Sequence, residues 1–175
     1  MALHILSFKR VNQGGFTLIE LLIVFAIAGI IASTVTAAIY QTISGSARNT
    51  SHMTAVKQVE NAIHWLRRDV QMAQTVQPSE GSGFPLSLTW TEWDNKVNQV
   101  IYSLIDSQLQ RSHSIDGEAV AGMMVAKYVE SDPTMTSCNF IGGVLTFKLT
   151  ATLYAGSQTI SETRVGEIIS RPNSP

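Results

Sequence analysis

The sequence predicts an α+β protein, with one long N-terminal helix, apolar and then amphipathic, followed by an antiparallel β-sheet head. Three observations carry that prediction. No Asp, Glu, Lys or Arg occurs from Leu21 to Ala47. Apolar residues then recur every three or four positions from Val56 to Ala73. From Leu86 onward the period changes to two, in short runs separated by Gly, Asp, Asn and Ser. The chain divides accordingly into a polar leader at 1–15, an apolar helix at 16–43, an amphipathic continuation at 44–77 and a β-rich head at 78–175.

The apolar helix runs from Phe16 to Ile43, 28 residues. A helix rises about 1.5 Å per residue, so about 20 apolar residues cross a hydrocarbon core of roughly 30 Å. One transmembrane helix is therefore expected. Ser33, Thr34 and Thr36 can bond back to helix carbonyls without breaking the span. A secretory signal peptide also sets basic residues before an apolar core, but that core is about 7–15 residues long and ends at a small-residue cut site. Ala26-Ile27-Ala28 mimics such a site in mid-run. Lys9 and Arg10 precede the helix and the next basic residue is Arg48. The positive-inside rule then puts the N-terminus in the cytoplasm and about 130 C-terminal residues outside.

Glu20 is the odd residue of this segment. On insertion scales an acidic group at the bilayer centre costs about 2.5–3.5 kcal/mol, less near the interface, and it marks function. No Lys or Arg at helical spacing within the run can pair with it. If the bond after Gly15 is cut, Phe16 gains an amine that is positive near neutral pH. Carried by a neighbouring molecule displaced along the axis, that amine would neutralise Glu20 only inside an assembly.

At Gly14-Gly15-Phe16-Thr17-Leu18-Ile19-Glu20 the chain resembles the type IV pilin and pseudopilin family. The family signature is a short basic leader ending in Gly, a cut before Phe, Glu as the fifth residue after the cut, and a long apolar helix. Its strongest portion covers about 30 of the 175 residues. The resemblance implies cleavage between Gly15 and Phe16 by a membrane aspartic prepilin peptidase, and methylation of the Phe16 amine. It further implies assembly through Phe16 and Glu20 with other pilin or pseudopilin subunits, on an inner-membrane platform driven by a cytoplasmic ATPase. The family's lollipop fold, and a passage from the cytoplasmic membrane into a pilus or pseudopilus, are implied with it. Pilins often carry a helix-breaking Pro nearer the middle of the anchor; Ala37 stands at the corresponding position here and keeps the helix intact.

Beyond the membrane segment, Val56, Val59, Ile63, Leu66, Val70 and Ala73 line one helix face. Lys57, Glu60, Arg67, Arg68 and Asp69 mostly occupy the others. The stripe lasts fewer than three heptads before Gln77-Pro78, which favours packing on a sheet over a coiled coil. Gly weakens a helix by about 1 kcal/mol relative to Ala, so Ser44-Gly45-Ser46 is a place for a bend or melted turn.

In the head, Ser79-Glu80-Gly81-Ser82-Gly83 reads as a flexible linker and Leu86–Thr91 as a half-buried strand. Val100–Leu104 and Leu109–Arg111 form a hairpin around Asp106-Ser107. Met123–Val129 and Val144–Tyr154 continue the pattern, the latter burying Leu145, Phe147, Leu149, Ala151 and Leu153. Ala155-Gly156-Ser157-Gln158 turns into Thr159–Ile169. Leu66-Arg67-Arg68-Asp69-Val70, Val100–Leu104 followed by Leu109-Gln110-Arg111, and Ile169-Ser170-Arg171-Pro172 are similar to J-type minor pseudopilins and related minor pilins. The K type that caps such tips lacks the Glu, and Glu20 disfavours it. Major subunits more often carry a paired-Cys loop or a compact head.

Composition excludes several functions. The formal net charge of -1 falls to -3 when Lys9 and Arg10 leave with the leader, which leaves no basic field for nucleic acid. Cys138 is the single cysteine and reads as a buried apolar residue. His52 and His64 lie 12 residues apart, about 120° round a helix, and cannot chelate one metal. Glu60 and His64 share a face as a surface pair. No catalytic triad order, Walker loop or nucleotide motif appears, so no enzyme, cofactor or metal site is expected. Asp106, Asp116 and Asp132 fall in loops where calcium is conceivable, without EF-type spacing. Trp90, Trp93 and Tyr102 form either an aromatic surface or core. Two functional classes remain: a structural fibre subunit, probed by the mature N-terminus, and a monomeric single-pass membrane-anchored binding module.

Overall fold

A computed structural model of the chain describes residues 15–156 and 158–171. Most of the leader reading, with Lys9 and Arg10, lies outside them. The described chain holds helix α1 (Leu18–Met72) and strands β1 (Thr75–Ser79), β2 (Gly83–Thr91), β3 (Val97–Ile105), β4 (Gln108–Ile115), β5 (Glu118–Lys127), β6 (Ser137–Ile141), β7 (Val144–Ala155) and β8 (Gln158–Ile169). This is the long helix and antiparallel head that the sequence predicts. By compactness the chain forms two units, one ending at Ser44 and the other starting at Gly45.

In the first unit every described residue is exposed. The hydroxyls of Ser33, Thr34 and Thr36 donate to the carbonyls of Ile30, Ile31 and Ala32 at 2.8 Å each, which hides polar groups an apolar solvent would penalise. The helix continues through Ser44-Gly45-Ser46, so no turn melts at the glycine. One Gly lowers propensity by about 1 kcal/mol, which a 55-residue helix absorbs.

In the second unit α1 buries Ala55, Val59, Ala62, Leu66 and Val70. The stripe is therefore turned slightly from the expected one: Ala55 and Ala62 sit at its centre, and Val56 and Ile63 flank it half-buried. Small side chains let helix and sheet approach closely. The helix stops at Met72, short of the expected 77. The Ala73 amide bonds the Asp69 and Val70 carbonyls, and the Gln74 amide already bonds Thr89 O at 2.9 Å. Pairing with β2 satisfies these backbone groups as well as another helical turn would, and Pro78, which has no amide hydrogen, is tolerated because β1 is an edge strand. The expected linker at 79–83 is in fact the tight β1–β2 turn, with Ser79 paired to Gly83.

Strands β1 to β5 form an antiparallel meander in chain order, and β6 to β8 form a second antiparallel sheet. The hairpin around Asp106-Ser107 is present, both residues having positive φ, 49° and 57°. That backbone matches the right-handed twist of the strands it joins. Buried Leu86, Leu88, Val100, Tyr102 and Leu109 of the meander meet Leu145, Phe147, Leu149 and Ala151 of β7 and the α1 stripe in one core. Thr150, on the predicted outer face of β7, is also buried; its hydroxyl donates to Met135 O at 2.6 Å and lies 2.9 Å from Thr163 Oγ1.

Asp69, expected on a solvated helix face, is fully buried. Its carboxylate accepts from Arg111 Nε at 2.7 Å and Nη2 at 3.1 Å, and from the Tyr102 hydroxyl at 2.5 Å. Burial and the adjacent Asp69 charge push the Tyr102 phenol far above its ordinary range, so it stays a donor. The hydrogen bond to Asp69 raises Arg111 further still. Trp65 covers the guanidinium at 5.2 Å. A charge placed by periodicity on the outside is thus brought in by partners from β3 and β4.

Cys138 is buried on β6, as expected, with Sγ 3.2 Å from Gly83 O. Burial pushes its thiol from 9.0 up to about 12. Because the folded state holds this proton more tightly, the associated stability is complete below pH 9 and declines as pH rises towards 12. Cys138 should resist iodoacetamide near neutral pH in the folded chain and react once urea unfolds it. Rapid labelling of the folded chain would contradict this burial.

Candidate functional site: the N-terminus of the apolar helix

The helix begins just after Phe16, whose side chain is 83% exposed. Its first amides have no carbonyl partner within the helix. Thr17 and Glu20 supply one. The Glu20 amide donates to Thr17 Oγ1 at 3.3 Å, and Glu20 Oε2 accepts from the Thr17 amide at 3.2 Å and the Thr17 hydroxyl at 3.0 Å. This reciprocal pair is a capping box, in which the N-cap hydroxyl serves one amide and the acidic residue three positions on serves another. The carboxylate also lies at the positive end of the helix macrodipole, typically worth about 0.3–1 kcal/mol.

The pairing changes the reading of Glu20. Within one chain it is engaged by polar groups of its own helix start, although no cation of the run reaches it. Thr17 is the residue that charge spacing overlooked. Its signal was present all along, in the Thr-x-x-Glu spacing of Thr17-Leu18-Ile19-Glu20 ahead of an apolar run. Phe16 and Glu20 stand on the same helix start, and Gly15 precedes them exposed. The helix behind them is long and apolar enough to cross a membrane, and none of its most apolar stretch is buried in the protein.

The other singled-out groups are not assembled into a site. His52 Nε2 lies 3.7 Å from Glu162, His64 stands edge-on to Trp65, and His113 stacks on Trp90 with Nε2 2.8 Å from Asn98 Oδ1. Asp116 Oδ1 accepts the Val97 amide at 2.9 Å. Asp132 accepts the Thr134 amide and hydroxyl at 2.8 Å each, which hold its carboxyl below the usual range. These carboxylates cap separate turns. Among the described residues no three His, Cys, Asp or Glu side chains gather as a metal site. Trp90 and Tyr102 are core residues, whereas Trp93 is 94% exposed.

Comparison with known proteins bears on the same segment. Residues 10–36 match the family model described as the prokaryotic N-terminal methylation motif. Neither curated proteins nor solved structures give a significant match. The motif ends within the apolar helix, and that helix leads into an antiparallel head. In that motif and this fold, the chain is similar to the type IV pilin and pseudopilin family.

Proposed function

We propose that the chain is a structural subunit, of the minor class, of a type IV pilus or type II secretion pseudopilus. Residues 1–15 are a leader removed by prepilin peptidase between Gly15 and Phe16, and the Phe16 amine is then methylated. Residues 16–43 anchor the subunit as a single pass with the N-terminus in the cytoplasm and the head outside, until the assembly platform draws it into a fibre of pilin subunits. The observation that supports this reading is Glu20 held at the helix start beside Phe16, within a matched methylation motif.

The geometry suggests how assembly is made favourable. In the membrane Thr17 satisfies part of the Glu20 carboxylate, which lowers the cost of keeping an acid in an apolar segment. In a fibre, the cationic amine of a neighbouring Phe16 offers a stronger, charge-assisted partner. Exchange of the first for the second couples extraction from lipid to polymerisation. The minor class rests on the J-type resemblance, and two segments that carry it, around Asp69 and Arg111, contact one another through the buried ion pair.

Mass spectrometry of the mature N-terminus tests processing. A chain beginning with methylated Phe16 is expected; an intact Met1 or a cut near Ala28 would overturn the proposal in favour of a monomeric anchored binding module. For assembly, Glu20→Ala should leave membrane insertion unchanged and lower the sedimenting fibre fraction by about tenfold or more, since an amine would be left unpaired. Undiminished assembly would remove Glu20 from the mechanism.

A further inference from the structure

Gly45, Arg48, Asn49 and His52 recur at helical spacing on one face of α1, and they meet the start of β8 across a cleft of about 630 Å³. Small-molecule sites fall in the range of about 300–1,000 Å³. The opposite wall is Thr159, Ile160 and Ser161. β8 is the edge strand of its sheet, so its outward backbone groups have no strand partner, and sheet edges form anion-binding concavities. Ile160 is buried, which leaves a largely polar surface for a ligand.

The cleft is also cationic. Arg48 is exposed and, among the described residues, makes no ion pair. On β8, Glu162 lies 3.0 Å from Arg164 Nη2 and 3.7 Å from His52 Nε2, so its charge is offset where that of Arg48 is not. A guanidinium presents a planar fork of N–H donors that matches the oxygens of a phosphate, and Asn49 adds an amide beside it.

Position in the chain selects which phosphate. Arg48 stands five residues beyond Ile43, the last residue of the apolar segment, which is about 8 Å of helix. The headgroup layer on each side of the hydrocarbon core is about 5–8 Å thick. With residues 16–43 across the membrane, Arg48 falls among lipid phosphates. Tyr154 supports this independently. It is 75% exposed, and it pairs across the β7–β8 hairpin with Thr159, a residue of the cleft wall. A tyrosine at a bilayer surface sets its ring among the headgroups and its hydroxyl in water.

We propose that this cleft binds the phosphodiester of a phospholipid in the extracytoplasmic leaflet, with Arg48 as its main ligand, Asn49 and His52 beside it, and the edge of β8 as the facing wall. The inference rests on residues 16–43 spanning the membrane and adds a second attachment, of the head to lipid headgroups. Drawing the subunit into a fibre then has to release that lipid, so the site holds the unassembled head at the bilayer surface.

The test is native mass spectrometry of the full chain in detergent, titrated with phosphatidylglycerol. One saturable lipid adduct is expected. Arg48→Glu should weaken it by about tenfold, as the loss of a hydrogen bond to a charged group predicts, and Arg48→Lys should recover part of that loss. Lys57→Glu makes the same charge change at another exposed position of the helix and should leave the affinity within about twofold. Diacylglycerol, which has the acyl chains but no phosphate, should give no saturable adduct. Equal binding of diacylglycerol, or an adduct insensitive to Arg48→Glu, overturns the site. Equal losses in Arg48→Glu and Lys57→Glu do so too, because the attraction is then diffuse charge. Inorganic phosphate that displaces the lipid at equal concentration makes a free anion the ligand and overturns the lipid assignment. Alkaline carbonate washing of membranes separates the two readings. A chain that washes out sinks the membrane anchor and the site with it, whereas a chain that stays but forms no adduct sinks the site alone.

Discussion

Asp69→Ala is expected to destabilise the head by about 3–5 kcal/mol, because it leaves the Arg111 guanidinium buried without its counter-charge. Arg111 retains little water, with its side chain about 10% exposed, and it is bound by both carboxylate oxygens of Asp69. Tyr102, fully buried, would lose its acceptor in the same step. Urea or thermal unfolding of the full chain in detergent should show the loss, with Tm lower by roughly 10–20 °C. Replacing the whole cluster, by Asp69→Leu, Arg111→Met and Tyr102→Phe together, should cost far less, since no charge is then stranded. If the single and triple variants were equally damaged, packing volume rather than stranded charge would be the cause.

Gly83→Ala should be comparably severe for a steric reason. Gly83 opens β2 with φ of 81°, where an L side chain is strained by about 1–2 kcal/mol. A Cβ there would lie 2.0 Å from the Cys138 carbonyl oxygen and 2.6 Å from its Sγ. That backbone does not yield, since the Cys138 amide is itself bonded to Ser82 O at 2.9 Å and joins the two sheets. A loss of about 4 kcal/mol or more, or failure to accumulate folded chain, is expected. Gly81→Ala is the control: φ is 83° but the space is open, so only the conformational cost should appear. Equal stability of the two variants would remove the proposed clash.

Much of the fold was legible because its signals are local. The span from Phe16, the Asp106-Ser107 hairpin and the alternation of β7 each follow from a few adjacent residues and elementary periodicity. β1 and β6 were missed for the opposite reason. Thr75–Ser79 and Ser137–Ile141 are five residues each and contain Pro78, Cys138 and Asn139, so neither has enough alternation to announce a strand. They exist because β2 and β7 offer them partners. Asp116-Gly117, in contrast, carried a hairpin signal that went unread.

The functional segment divides the same way. Glu20 and the Gly15-Phe16 bond stood out as breaks in an apolar pattern, and Thr17 was recoverable from its spacing to Glu20. By itself the sequence determined the apolar helix, the methylation motif and the α+β class, since each depends on residues close together in the chain. Only the tertiary structure decided that Asp69 lies inside and Trp93 outside. Those fates depend on Arg111, 42 positions from Asp69, and on a loop set beyond the end of the core. Burial is a property of what the rest of the chain brings alongside, and no local pattern contains it.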